Sequence, residues 1–396
     1  MENICIIVPS LTSGGAEREA GLLSIELSKY YNVYLFLMNA KVITYNYKGT
    51  IVDLDYQGRK TKYRRLKRFS GWVAHYDLIR SIKKKKEELN VTCSISFLGI
   101  PNMYNILSKT RDKVVVSVRN YISGQRDNQS GKYENIFARY LYNHADKVVA
   151  LSYGEEEDLI KNFHIKPQKV TTIYNFFDSD HILKSMNADI PDEYQQVFDS
   201  HDVVIMVGRF TYQKNHLRLI DEFAKVVEKN RKAFLFIMGQ GELENQIREK
   251  IDDLDLNAYI AIVPYQTNPY AFMSRAKVLV LNSRYEGFCQ TLLESIGCGT
   301  AIVSTDCMVG PREVLADIKT YNNSLTKITV CNRGILVPTI EPKRDECISG
   351  KLAEGILMLL HDEELRNQLV RNGKLYLQNY SNEALTECWV QVINGQ

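Results

Sequence analysis

Four side chains stand at spacings that suit chemistry on a charged, hydroxyl-rich ligand. Glu286 and Glu294 lie eight residues apart in Ser283-Arg-Tyr-Glu-Gly-Phe-Cys-Gln-Thr-Leu-Leu-Glu-Ser295, and Arg209 and Lys214 lie five apart in Gly208-Arg-Phe-Thr-Tyr-Gln-Lys-Asn215. The apolar run Lys277-Val-Leu-Val-Leu281 predicts a buried strand, Glu286-Gly287 a tight turn, and Thr291 to Cys298 a helix start. The backbone N–H groups of Phe288, Cys289, Gln290 and Thr291 are then the unpaired donors of a helix end, which attracts phosphate. Carboxylates accept hydrogen bonds from hydroxyls. Two of them flanking an anion-binding helix end fit a nucleotide sugar, with polyols on each side and a diphosphate between. Two cations in a loop off the strand Val203–Val207, beside another helix start, match a diphosphate's charges.

The elements that must position these groups follow a strand–helix alternation in two halves. In the first, Ile4–Val8 predicts a buried strand, running into Gly14-Gly15-Ala-Glu17 and a helix to about Tyr30. Strand, glycine turn and helix start bring backbone N–H groups up to a phosphate, but the turn is not G-x-G-x-x-G, which disfavours a dinucleotide. Strands follow at 33–38, 92–97, 113–118, 147–152 and 170–174, with a hairpin-like polar stretch after the first of these. Loops at Asn102 and Arg119 follow strand ends, where open α/β sheets bind ligands, so Arg119 is a candidate for an anionic group. Residues 178–202 are polar and aperiodic and predict a linker. The second half resumes at Val203 with strands at 233–238, 260–265, 277–281 and 299–305, and residues 350–395 read as helices.

At 396 residues the chain exceeds one core, so two domains are expected: 1–177 and 203–380, with a helix over about 381–396 packing back on the first. The eight cysteines (5, 93, 289, 298, 307, 331, 347, 388) are scattered without C-x-x-C, a pattern of reduced thiols rather than a disulfide frame or zinc site. Ile4–Val8 is too short for a signal peptide and lacks its basic flank, and no apolar run reaches membrane-span length, so a soluble or peripheral protein is expected. The net charge of +3 decides little, but its distribution does: residues 59–68 carry Arg59, Lys60, Lys62, Arg64, Arg65, Lys67 and Arg68 with no acid, followed by Trp72, Tyr76 and Lys83–Lys86. Cations interleaved with aromatics read as a surface for anionic lipid or a phosphorylated ligand. No second basic array recurs, which argues against nucleic acid. Three D-x-D triplets, at Asp53, Asp178 and Asp253, lack a strand-end partner and read as structural.

In order along the chain, Gly14-Gly15-Ala-Glu17, Gly208-Arg209-(x4)-Lys214-Asn215, Gly239-x-Gly241 and Glu286-Gly-Phe-(x5)-Glu294 resemble the retaining nucleotide-sugar glycosyltransferases of family 4, over nearly the whole chain. Ser13–Arg18, Ser96-Phe-Leu98 and Leu292-Leu-Glu-Ser295 look most like bacterial transferases that extend lipid-linked oligosaccharides, N-acetylgalactosaminyltransferases among them. The resemblance implies an α/β GT-B fold, two Rossmann-like doubly wound domains facing across a cleft. It implies catalytic roles for Arg209 and Lys214 on the donor diphosphate and for Glu286 toward the donor sugar. Glu294 would take the ribose hydroxyls, Val263 would lie at the base, Phe288, Cys289, Gln290 and Thr291 would cradle phosphate and sugar, and Gly15 would close the cleft. Arg64, Arg65, Lys67 and Arg68 would lie over the acceptor's pyrophosphate, with Asn102 and Arg119 nearby. A UDP-sugar donor, no metal or other cofactor, a polyprenyl-diphosphate-linked glycan acceptor and a site at the inner face of the cell membrane are the matching expectations.

This chain departs from the family pattern at Arg119, where many relatives have His. It also departs at Cys289-Gln290-Thr291, where many have Gly-Leu-Pro, and at Pro264-Tyr265 near the base. A longer 314–333 segment is expected to be a mobile loop. The rivals within the class are a sugar-nucleotide epimerase on the same fold and a transferase with a non-lipid acceptor. A dinucleotide oxidoreductase lacks its glycine fingerprint, and a membrane-surface adaptor leaves the four charged residues unexplained.

Overall fold

The computed structural model describes all residues except 13, 63–69, 126–128, 322–323, 340–348, 379 and 396. It divides into two compact units, Met1–Phe176 with Asn382–Gln396, and Phe177–Ser381. The first contains β1 (Asn3–Val8), β2 (Asn32–Leu37), β3 (Thr50–Asp53), β4 (Val91–Phe97), β5 (Lys113–Ser117), β6 (Lys147–Ala150) and β7 (Val170–Thr172). They form a parallel sheet in the order β3-β2-β1-β4-β5-β6-β7. Ile4 to Val8 are fully buried, as expected of a parallel strand covered by helices on both faces. The stretch expected to make a hairpin after β2 instead crosses over to β3, which pairs parallel to β2 from Tyr34–Thr50 to Leu37–Asp53.

The helix Asn382–Asn394 closes the first unit. Trp389 is fully buried in the same cluster as Ile4, Ile6, Phe97 and Val115, its ring stacked on Phe97 at 6.3 Å between centroids.

The second unit contains β8 (Asp202–Val207), β9 (Ala233–Gly239), β10 (Ile260–Pro264), β11 (Val278–Leu281), β12 (Ala301–Thr305), β13 (Thr329–Val330) and β14 (Ile335–Val337), in the order β10-β9-β8-β11-β12-β14-β13. All pairings are parallel except that of the short edge strand β13. The strand order reverses between β8 and β11. Such a reversal leaves a crevice at the strands' carboxyl ends, because the helices following the two strands leave toward opposite faces.

The segment 178–202, expected to be a linker, folds as the helices Ser179–Ser185 and Asp192–Ser200 of this unit. Asp178 caps the first by accepting from His181 N at 3.1 Å, and Tyr194 and Phe198 pack edge-on or tilted against Phe236 and Phe272. A few aromatics on short polar helices carry too little period to show in the sequence. Asp53 and Asp55 likewise serve local turns, accepting from Asp55 N and Gly58 N.

Candidate functional site

Both loops that carry the four charged residues leave the carboxyl ends of β8 and β11, on either side of the reversal. After Val207 the chain turns through Gly208, and fully buried Phe210 plugs the loop into the core, its N–H donating to Gln240 O at 2.9 Å. Gly239 and Gly241 permit this approach: a Cβ at 239 would meet Gly208 O at 2.0 Å, and one at 241 would meet Phe210 O at 2.6 Å. A short turn at Tyr212–Lys214 and a left-handed Asn215 (φ 57°) then start the helix His216–Lys229.

The β11 loop is laced to this one. Arg284 N donates to Gln213 O at 2.8 Å, Gln213 Nε2 to Tyr285 O at 2.9 Å, and Asn282 Nδ2 to Asn215 O at 2.9 Å. The Arg284 guanidinium lies 4.2 Å from the Tyr212 ring centre and reaches Asn215 Oδ1 at 2.9 Å.

Lys214 and Glu286 meet directly. Lys214 Nζ donates to Glu286 Oε1 at 2.6 Å, and Ser283 Oγ donates to the same oxygen. Their side chains are only 15% and 9% exposed, so water screens the pair weakly. Burial works to lower the lysine's pKa, but the Glu286 carboxylate outweighs it and holds the ammonium above its ordinary value. Arg209 is exposed at the loop tip. One bound and one solvent-facing cation therefore lie on one loop.

Beyond Glu286 the backbone passes Phe288, buried to 2%, and a left-handed Cys289 (φ 67°) into the helix Gln290–Cys298. Gln290 and Thr291 are half-buried at its first turn. The Cys289 thiol, its pKa raised by burial, is a packing group that donates to Val309 O at 3.7 Å. Glu294 comes one turn further, half-buried, and accepts from Tyr270 OH at 3.2 Å. Val263 is fully buried on β10, so any contact there with a base falls to its backbone or to exposed Pro264 and Tyr265.

The sequence reading did not single out two neighbours of this site. Tyr270 orients Glu294; its signal was a tyrosine directly after Asn268-Pro269, at the start of a short helix. His216 directly follows Lys214-Asn215, is fully buried edge-on to Phe210 at 5.1 Å, and neither ring nitrogen has a hydrogen-bond partner. Burial, with Lys214 adding, pushes its pKa down to about 4 and keeps it neutral.

In the first unit, Gly14 and Gly15 stand exposed at the start of the helix Gly15–Leu27, with open space where a Cβ would point. Glu17 fastens the turn by accepting from Ser10 Oγ at 2.6 Å and Thr12 N at 3.2 Å, and Gly14 N donates to Tyr45 OH at 3.1 Å. Asn102 and Arg119, expected at an acceptor surface, are instead interior. Asn102 is fully buried; Ser96 Oγ donates to its Oδ1 at 2.8 Å, and its amide donates to Ser117 O at 3.0 Å. Arg119, 6% exposed, lies over Phe97 at 4.5 Å and donates to Asn175 Oδ1 at 2.7 Å. Both polar heads are drawn in because β4, β5 and the C-terminal helix surround them with partners. Arg64, Arg65, Lys67 and Arg68 lie outside the described residues. The seven described cysteines are free thiols, and no helix among the described residues is long and apolar enough to cross a membrane.

Two Rossmann-like sheets, one with a charged pair of loops at its reversal point, define an α/β protein of the GT-B type. Solved structures share this fold across the whole chain: a WaaG glycosyltransferase involved in lipopolysaccharide biosynthesis superposes with TM-score 0.72 at 14% identity, covering 99% of this chain and 100% of that one. Anabaena HepE in complex with UDP and glucose superposes with TM-score 0.71 at 15% identity, covering 100% of each.

Residues 13–181 match the family described as Glycosyltransferase Family 4, and residues 192–376 that described as Glycosyl transferases group 1. The chain belongs to the family 4 glycosyltransferases. Among similar proteins is the N-acetylgalactosamine-N,N'-diacetylbacillosaminyl-diphospho-undecaprenol 4-alpha-N-acetylgalactosaminyltransferase of Campylobacter jejuni. It is 29% identical over 324 residues, which are 80% of this chain and 84% of that protein. The amylovoran biosynthesis glycosyltransferase AmsD of Erwinia amylovora is 26% identical over 398 residues, 100% of both.

Proposed function

We propose that the protein is a retaining, metal-independent glycosyltransferase. It would move a hexose or N-acetylhexosamine from a UDP-sugar to a polyprenyl-diphosphate-linked glycan, at the inner face of the membrane, in surface-polysaccharide or glycoprotein-glycan assembly. The observation that carries the reading is the lacing of the β8 and β11 loops. It sets an exposed Arg209, the Lys214–Glu286 pair and the start of the helix Gln290–Cys298 beside one strand reversal. A relative that acts on an undecaprenol-diphosphate glycan supports the acceptor class.

In this reading the bond between the sugar's anomeric carbon and the β-phosphate oxygen breaks as the acceptor hydroxyl bonds to that carbon from the same face. The hydroxyl's proton passes to the departing phosphate oxygen, so no side-chain base is required. Arg209 and Lys214 neutralise charge on the leaving diphosphate, and the N–H groups of residues 288–291 hold its oxygens; such preorganised donors are the largest single contribution in many enzymes. Glu286 faces the donor sugar, and Glu294 takes the ribose hydroxyls. The basic residues Arg64, Arg65, Lys67 and Arg68 meet the acceptor's pyrophosphate and anionic lipid.

Calorimetry with UDP-, GDP- and ADP-sugars, with and without EDTA, tests the donor. Transfer to a synthetic polyprenyl-diphosphate glycan, with the anomeric configuration read by NMR, tests the reaction. One UDP-sugar bound equally in EDTA, and an α-linked product from an α-linked donor, are the expected results. A required divalent metal, or an inverted product, refutes the mechanism.

A further inference from the structure

The long segment after the helix Pro311–Ala316, expected to be mobile, is fastened at its described residues to the loop between β12 and that helix. Leu325 N donates to Asp306 Oδ2 at 3.0 Å, and Arg312 grips Asp306 through two bonds of 2.6 Å. Arg312 Nη1 also donates to Thr320 O at 3.3 Å, and its guanidinium lies 5.4 Å from the Tyr321 ring centre. The Tyr321 hydroxyl accepts from Gly310 N at 2.5 Å and donates to Glu313 Oε1 at 3.4 Å. Glu313 thus draws the hydroxyl proton to itself and leaves a lone pair facing the glycine amide.

The 306–310 loop is in turn the shelf beneath the donor loop. Glu286 N donates to Met308 O at 2.6 Å, and Val309 N to Glu286 O at 3.3 Å. Gly310, at φ 106°, approaches so closely that a Cβ there would meet the carbonyl carbon and oxygen of Phe288 at 2.8 Å. That carbonyl belongs to the Phe288–Cys289 peptide, whose N–H lies at the helix end.

We propose that Tyr321 is a positioning residue for the donor's diphosphate. Its hydroxyl fixes Gly310, and Gly310 fixes the Phe288–Cys289 peptide that presents an N–H to the phosphate. Thr320, Tyr321 and Leu325 are on this account part of a brace of the donor site. This inference rests on the donor-site reading above.

The test compares wild type, Tyr321→Phe and Glu294→Ala in the full chain. UDP binding is read by calorimetry, KM for donor and acceptor in the transfer assay, Tm by calorimetric scanning, and amide exchange over residues 286–291 by mass spectrometry. Loss of one hydrogen bond that aligns a charged contact weakens UDP binding and raises the donor KM about three- to tenfold in Tyr321→Phe. The acceptor KM and Tm stay as in wild type, and the 286–291 amides exchange faster. UDP affinity unchanged in Tyr321→Phe, while Glu294→Ala loses it, overturns the inference alone. So does a parallel rise of both KM values with a fallen Tm, which marks a purely structural role. Wild type that binds no UDP overturns the donor-site reading and this inference together.

Discussion

Replacing Lys214 by Met keeps the length and most of the apolar stem of the side chain but removes the only cation bonded to Glu286 among the described residues. The carboxylate would stay buried, with Ser283 as its remaining side-chain donor. Removing one partner of a buried ion pair costs about 3–5 kcal/mol, because the other charge is left uncompensated. The Ser283 hydrogen bond and the carboxylate's residual exposure place this site near the lower figure. For a domain of this size, about 3 kcal/mol lowers Tm by roughly 6–12 °C. The companion change Glu286→Leu in the same chain removes the stranded charge, so the double variant recovers most of the loss, a coupling on the order of 2–3 kcal/mol. Thermal scans of wild type, Lys214→Met, Glu286→Leu and the double variant complete the cycle. If Lys214→Met melts with wild type, or the double variant loses the sum of the singles, then no desolvated pair exists. The Lys214 ammonium is then held by solvent rather than by Glu286. Neither outcome depends on activity, which all three variants should lack.

Arg209→Ala, at an exposed loop tip, should leave Tm unchanged while weakening UDP binding about 10- to 100-fold, the worth of a charge-assisted contact of about 1.5–3 kcal/mol; calorimetry beside a thermal scan checks both. Tyr270→Phe should weaken UDP several-fold and weaken a dideoxyribose analogue of UDP hardly at all, because the hydroxyl acts through Glu294 on the ribose diol; competitive titration of the two nucleotides decides it. His216 has a folded pKa near 4 against an ordinary 6.5, so the unfolded chain binds a proton that the folded chain refuses between those values. The stability it contributes is present above pH 6.5 and falls away as pH drops through 4, by about 3 kcal/mol in total. His216→Phe, which keeps the edge-on ring contact, should flatten that acid slope in Tm measured from pH 7 to 4.

The strands were legible in the sequence because parallel strands covered on both faces must be apolar throughout, and Ile4–Val8, Val203–Val207 and Ala233–Met238 are continuous apolar runs. Strands β3, β13 and β14 were not, since they are two to four residues long, too short to show a run or a period. The charged residues of the second unit could be placed because each follows a run that fixes where the chain leaves the sheet. The direction of a single side chain after such a run is another matter. Ser94 and Ser96 face Asn102 and Asn105 inside the first unit, where Ser94 Oγ donates to Asn105 Oδ1 at 2.7 Å and the Asn102 amide donates to the Ser117 carbonyl at 3.0 Å. Serines alternating along β4 were the visible sign that polar groups on this side turn inward. Asn102 completes that buried network, and Arg119 is likewise drawn onto Phe97 and Asn175.

This difference between the halves bears on the chemistry. Both sheets share one core order, with the third, second, first, fourth and fifth strands side by side and a reversal between first and fourth. Equivalent loops therefore exist in each unit, but they are filled differently. After β8 the loop carries Arg209 outward and Lys214 onto a carboxylate, whereas after β1 it carries Gly14 and Gly15 with nothing where a side chain would be. After β11 the chain opens into a helix end flanked by carboxylates; after β4, the buried Asn102 and Asn105 seal the corresponding helix Gly99–Leu107 to the sheet. A fold with two potential anion sites has thus kept charge at one and bare backbone at the other. In the second unit, therefore, the loops after β8 and β11 carry the charge that an anionic group needs.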